Sequence, residues 1–296
     1  MSFRLEQQSA AAAPVPARMR RGEEAGQGPG AAAVAAVEVH GLEVRYGARR
    51  ALGEISLTMP AGQFLALTGP SGSGKSTLAL ALCGLIREGR ETDRGCTMLT
   101  AAVLRGRVAV FGADTRDLPV HLLARRAGIV FQNPATQLFH GTVEDEVAFA
   151  PRNLGLPEEE VSRRVALAFD AVGIRPLAGR QTLSLSAGQR QRLAIAAALS
   201  LEPRLLVLDE PAANLDRQGV DLLVSTLRRL HRAQGLTIVL IEHRLEAFLP
   251  LADRLVLLQR GRLAADGAPQ EVLSVGRRRV ELGVLRAGFA SSSSRS

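Results

Sequence analysis

Between Val37 and Gly267 the chain alternates two kinds of apolar pattern. In Val37–Tyr46 and Glu54–Met59, apolar and polar positions alternate (Val37, Val39; Ile55, Leu57, Met59), which predicts antiparallel strands with one buried face. Phe64–Leu67, Leu205–Leu208, Thr237–Ile241 and Leu255–Leu258 are instead short and almost continuously apolar. Such runs suit strands buried on both faces of a parallel sheet. Helical spacing shows in Glu158–Val172, where Val161, Val165, Phe169 and Val172 follow an acidic first turn, and again in Gln218–Leu230. Strands alternating with helices predict an α/β fold of the doubly wound kind.

Composition agrees with a packed core: of 296 residues 46% are hydrophobic and 22% charged, too apolar for a chain disordered throughout. Residues 1–36 differ, with alanine runs, Gly26–Gly30 and no periodicity, and are expected to be a disordered extension; residues 276–296, ending in Ser291–Ser294, are expected to be a mobile tail. Neither a secretory signal nor a membrane-spanning run is found. Two cysteines, Cys83 and Cys96, cannot form a disulfide framework or a four-ligand zinc site, so a reducing cytoplasmic setting is expected. The net charge of +8 suggests nucleic acid at first sight. Much of it lies in the two ends, however, and 3% aromatic residues provide no stacking platform, so no nucleic-acid partner is expected.

The chemistry begins after the strand Phe64–Leu67, where Gly69-Pro70-Ser71-Gly72-Ser73-Gly74-Lys75-Ser76-Thr77 precedes the helical run Leu78–Leu85. This is a Walker A phosphate loop in its strand–loop–helix context, which a merely flexible glycine loop would lack. Its glycines let successive N–H groups face phosphate, Lys75 adds the charge, and Ser76 offers a hydroxyl to Mg²⁺. Lys75 is the only lysine in the chain. Farther on, Leu205–Leu208 runs into Asp209, Glu210 and Pro211, a Walker B arrangement. There Asp209 would serve Mg²⁺ and Glu210 would orient and polarise the attacking water, since phosphoryl transfer asks mainly for positioning and charge.

Between them stands Leu185-Ser186-Ala187-Gly188-Gln189-Arg190-Gln191-Arg192, and with it the chain resembles the ABC ATPase superfamily over about residues 37–275. Other landmarks follow that family's order: Tyr46, Gln132, Asp216 in Ala212-Ala213-Asn214-Leu215-Asp216, and His243. The resemblance implies an ABC-type P-loop NTPase with a RecA-like parallel-sheet core, an N-terminal antiparallel β subdomain and a helical signature subdomain at about residues 133–202. It implies ATP and Mg²⁺ as cofactors. Nucleotide would be held by Tyr46 against adenine, by Gly69 to Thr77, and by Ser186, Gly188, Gln189 and Asp216. Ser76, Gln132 and Asp209 would serve the metal, and Glu210, His243, Gln132 and Lys75 the catalysis.

A helix start at Ser186, with the N–H groups of Gly188 and Gln189 open to an anion, makes a second phosphate site. The resemblance implies that it serves the ATP of a second ABC ATPase subunit, identical or different, in a head-to-tail dimer. Ala187 stands where the first glycine of the signature pair is usual; if that position needs positive φ, alanine there costs about 1 kcal/mol or more. Around Gln132 the string Phe131–Phe139, then Thr142–Phe149 and Asn153–Pro157, together with Glu242 before His243, resembles the energy-coupling-factor branch of ABC importers, which takes up cobalt, nickel and vitamins. That branch implies a peripheral place on the cytoplasmic face of the membrane. Its partners would be a transmembrane coupling protein and a membrane substrate-binding subunit, with residues 132–157 as the coupling surface.

Two rival readings are a soluble ABC ATPase of translation or DNA repair and a non-hydrolysing half of a heterodimer. The 54-residue separation of Gln132 and Ser186 suits a compact helical subdomain rather than a long coiled coil, and Glu210 with His243 argues for turnover, while Ala187 argues mildly for the non-hydrolysing half. His40, His121, His140 and His231 lack metal-ligand spacing, Cys83 reads as a small core residue, and Glu158–Glu160 as a helix start. Arg277–Arg279 reads as a solvated run, and Arg87–Arg107 as an irregular surface excursion.

Overall fold

Two sheets share a core around the helix that follows the phosphate loop. The structure, a computed structural model, describes residues 35–86 and 102–274. Of the extension expected over residues 1–36, residues 1–34 lie outside the described residues, while Ala35 and Ala36 belong to the first strand rather than to an extension. The segment 87–101 with Cys96 and the expected tail with Arg277–Arg279 also lie outside the described residues.

Strands β1 (Ala35–Tyr46) and β2 (Arg49–Pro60) form an antiparallel hairpin in which Val37 pairs with Met59 and Val39 with Leu57. A register shift between Val39 and Leu42, where Gly41 takes φ 56°, restores the inward face to Leu42 and Val44. The strand β3 (Phe64–Thr68) is buried throughout and leads through the loop into α1 (Lys75–Leu82), which begins earlier than the apolar run Leu78–Leu85 suggested.

Next come β4 (Ala102–Val110) and β5 (Ala113–Asp114), giving an antiparallel sheet of order β2-β1-β4-β5. The described end of the Arg87–Arg107 segment is therefore not irregular, because Ala102–Arg107 pair with β1. Its alternation is broken at Gly106, where a β-carbon would sit 2.3 Å from Gly41 O, so the bulge hides the strand from a periodicity reading.

The short α2 (Val120–Leu123) precedes β6 (Ala127–Val130), and three helices follow: α3 (Val143–Asn153), α4 (Glu158–Val172) and α5 (Ala187–Leu199). They pack on one another within the expected helical segment. The chain closes with β7 (Leu205–Asp209), α6 (Arg217–Gln234), β8 (Thr237–Ile241), β9 (Arg254–Gln259) and β10 (Arg262–Gly267).

The second sheet has the order β10-β9-β3-β8-β7-β6, parallel except for the antiparallel edge strand β10. Alternate residues of β3 serve different layers. Leu65 and Leu67 meet α1 and the antiparallel sheet, while Phe64 joins the core formed with the helical segment. Both faces are covered, which is the physical reason for the continuous apolar runs. Among the described residues no helix is long and apolar enough to cross a membrane.

Candidate functional site

The ends of β3, β7 and β8 lie side by side, so the loops leaving them meet. Backbone crowding dictates the loop after β3. A β-carbon on Gly69 would fall 2.0 Å from Leu258 O, and one on Gly74 would fall 2.6 Å from Leu52 Cδ2 at φ 104°, so both positions demand glycine. Gly74 caps α1 without a side chain, leaving its first N–H groups for an anion. Pro70, Ser71, Gly72 and Ser76 are exposed and Thr77 is half-buried. Ser73 Oγ is buried with no hydrogen-bond partner.

Lys75 is only 5% exposed, and its Nζ donates to Gly69 O at 2.9 Å and Pro70 O at 3.1 Å. Burial lowers its pKa, opposed by the charges of Glu210 and Asp209. At the end of β7, burial raises the pKa of Asp209, opposed by a hydrogen bond from Ser76. Its Oδ1 has no partner.

Glu210 follows in a left-handed conformation, φ 49°, uncommon outside glycine and costing of order 1 kcal/mol. Two residues remote in sequence hold its carboxylate. Gln132 Nε2 donates to Oε2 at 2.8 Å, and His243 Nε2 lies 2.9 Å from Oε1. The same His243 nitrogen lies 3.4 Å from Lys75 Nζ. The shorter contact assigns the Nε2 proton to the bond with Glu210. A carboxylate so oriented can accept a proton from water, beside a buried amine and an acidic oxygen free for a cation.

The remaining expected site residues stand elsewhere. Tyr46 ends β1, half-buried, in the hairpin whose Arg49 Nη2 would lie 3.6 Å from a β-carbon on Gly72. Sequence reasoning missed Arg49, because nothing in the chain pattern pairs a hairpin arginine with the phosphate loop. Asp216 accepts from Gly219 N at 2.7 Å as the cap of α6. Ser186 caps α5 in a reciprocal box with Gln189, whose N–H is thus engaged at 3.3 Å rather than open. A cavity of about 100 Å³ lies between Gln132, Ala187, Arg190, Pro211 and Leu215, bringing the start of α5 beside the loop after β7.

Ala187 is the first residue of α5 and is not among the positive-φ residues. The cost considered for alanine there does not arise. Ala187→Gly is therefore expected to leave ATP turnover unchanged and to lower stability by up to about 0.5–1 kcal/mol, through backbone entropy. Turnover assays and melting curves check this; a rise in turnover would contradict it.

Other candidates are structural. Phe64 meets His231 edge-on, and His140 forms a triangle of contacting rings with Phe139 and Phe149, with Glu146 at 3.4 Å. Cys83 is buried, and burial pushes its thiol up to about 12. No metal-type cluster of histidine, cysteine and carboxylate occurs among the described residues.

Sequence reading gave no site role to Glu242, which is 4% exposed and whose Oε1 accepts the Ala212 N–H at 2.8 Å. Burial pushes its carboxyl up to about 7, against the hydrogen bond from Ala212. Because the fold favours the protonated form, this residue's contribution is fully present below the ordinary value of 4.5 and is lost as pH rises through about 7. Glu242→Gln is thus expected to be more stable than the parent at about pH 8, by on the order of 2–3 kcal/mol, with the gap closing toward about pH 4.5. Melting curves across this range check it; a constant gap would contradict it.

The comparisons with known proteins agree with this geometry. The model of the family described as ABC transporter matches residues 52–213. Relatives from Methanosarcina mazei and Methanosarcina acetivorans are 41% and 40% identical over 228 residues, 77% of this chain. The chain spans little more than a third of their length, 37% and 36%. An energy-coupling factor transporter ATP-binding protein, EcfA2, of Symbiobacterium thermophilum is 40% identical over 82% of this chain and 79% of its own. The solved structure of cbiO1 from Clostridium perfringens, part of the ABC transporter complex cbiONQ, superposes with a TM-score of 0.70 at 31% identity, covering 86% of this chain and 97% of that one. The phosphate loop, the paired carboxylates after β7 and these matches together place the chain in the ABC transporter family, among its ATP-binding proteins.

Proposed function

We propose that this chain binds and hydrolyses ATP as the peripheral subunit of an importer of the energy-coupling-factor type, taking up a metal ion or a vitamin-like micronutrient. The observation that carries the hydrolytic part is the Glu210 carboxylate, held between Gln132 and His243 beside Lys75. The importer part rests on the likeness to EcfA2 and cbiO1.

In this reading the α1 N–H groups and Lys75 hold the phosphates, and Glu210 orients water and takes its proton. Gln132 and His243 keep both carboxylate oxygens fixed, so no reorganisation is needed when the proton moves. His243, in contact with both Lys75 and Glu210, registers the γ-phosphate. The partnerless Asp209 Oδ1 and the Ser76 hydroxyl are hard oxygen donors suited to Mg²⁺, joined by Gln132. Mg²⁺, when bound, would neutralise charge on the β- and γ-phosphates. Tyr46 would stack on adenine. Ser186, Gly188 and Gln189 would meet the nucleotide of a second subunit, with Asp216 at the same dimer face.

Within residues 132–157, Phe139 is 66% exposed. Nearby lies a cavity of about 220 Å³ lined by Leu85, Val120, Ile129, Leu138 and Glu146. This surface suits a transmembrane coupling protein that carries a membrane substrate-binding subunit and sits at the cytoplasmic face. Binding that favours the closed dimer would move those subunits, because only differential affinity shifts a two-state equilibrium. The helices α3, α4 and α5 have 11, 15 and 13 residues, too short for the long coiled coil of the soluble alternative.

Tagged Glu210→Gln protein, isolated with ATP from gently solubilised membranes, tests the transport reading by mass spectrometry of what co-purifies. A multi-spanning membrane protein together with a small membrane substrate-binder is expected. Ribosomal or DNA-bound proteins alone would overturn it.

A further inference from the structure

We infer that Glu242 is a positioning residue for hydrolysis, its carboxyl clamping the loop after β7 to the loop after β8 and so holding Glu210 in register with His243. The inference rests on the hydrolytic reading above and deepens it. Glu242 directly follows β8, and its backbone N–H is fixed to β3 through Leu67 O at 3.1 Å. From that anchored point the buried side chain reaches across and accepts the backbone N–H of Ala212 at 2.8 Å. One carboxyl thus joins the two segments that carry the catalytic pair.

The need for such a clamp lies in the backbone of Glu210. A left-handed glutamate relaxes unless its surroundings over-determine it. Here Glu210 N donates to Ile241 O at 2.9 Å, and two residues later Ala212 N donates to Glu242. Residues 210–212 are therefore stapled at both ends to β8 and the residue after it. Removing the second staple frees the loop to turn its carboxylate away from Gln132 and His243. It also leaves the Ala212 N–H without its acceptor. The clamp needs an acceptor oxygen rather than a charge, so an amide should replace it, and burial, which pushes this carboxyl toward neutrality, is compatible with that.

The test compares the parent chain, Glu242→Gln and Glu242→Leu in steady-state hydrolysis of ATP with Mg²⁺, in ATP binding by calorimetry, and in hydrogen exchange of the peptide covering residues 210–216. Glu242→Gln should keep kcat within about 3-fold of the parent, whereas Glu242→Leu should lose roughly 30- to 100-fold in kcat, as expected for a displaced base, with KM and ATP affinity unchanged. Exchange in residues 210–216 should quicken in the leucine variant alone. The inference is overturned if Glu242→Leu keeps the parent kcat, if its loss lies in KM, or if Glu242→Gln is equally impaired. Should the leucine variant not fold, Glu242→Ala carries the same expectations. A parent chain that hydrolyses no ATP would sink the hydrolytic reading instead, and the exchange comparison would still judge the clamp: equal exchange in all three proteins overturns it.

Discussion

Lys75→Ala is expected to weaken ATP binding by roughly 30- to 1000-fold, about 2–4 kcal/mol, while leaving the fold intact. The amine sits at the end of the phosphate loop, 5% exposed, and donates to two loop carbonyls, Gly69 O and Pro70 O. Burial disfavours its charge, and the carboxylates of Glu210 and Asp209 oppose that effect. The nucleotide would lose a desolvated point charge in a chain with no other lysine. Calorimetry with ATP, beside melting curves of both proteins, measures the effect. Unchanged affinity would remove the phosphate role from the loop.

Glu210→Gln separates chemistry from binding. The amide nearly matches the carboxylate in size, so Gln132 and His243 still flank it, but it cannot take a proton from water. A fall in kcat of roughly 100- to 1000-fold is expected, with KM for ATP little changed, the pattern of an interaction made mainly in the transition state. Because hydrolysis no longer empties the site, the variant should accumulate as an ATP-loaded dimer, seen as a doubled molar mass in light scattering. Turnover at the parent rate would show that another residue activates water.

Much of the fold was legible because burial leaves a periodic trace. The alternating strands of the hairpin and the continuous runs of β3, β7, β8 and β9 were located within a few residues of their observed positions. What escaped was short or broken by its own geometry. β6 has four residues with Gly128 among them, β4 is interrupted at Gly106, and α3 mixes charged positions with Pro151. The phosphate loop and the carboxylates after β7 could be read because each is contiguous in sequence. Their mutual geometry could not, since Gln132 and Glu210 are 78 residues apart and meet only where loops leave neighbouring strands.

The same limit hid Glu242 and the conformation of Ala187. A buried glutamate after an apolar strand looks like any strand end until Ala212 is seen donating to it. Whether alanine is tolerated in the signature depends on a backbone angle that residue types alone do not disclose. Once Ala187 is placed in the first turn of α5, the strain argument falls away.

The central claim is that Glu210, held by Gln132 and His243 beside Lys75, makes this chain an ATPase. Phosphate release from ATP by the purified parent chain, with Mg²⁺ and after its removal by chelation, beside Glu210→Gln, tests it most directly. The account predicts steady release by the parent that stops on chelation and falls at least roughly 100-fold in the variant. No release by a parent chain that binds ATP, or equal release by parent and variant, would contradict it.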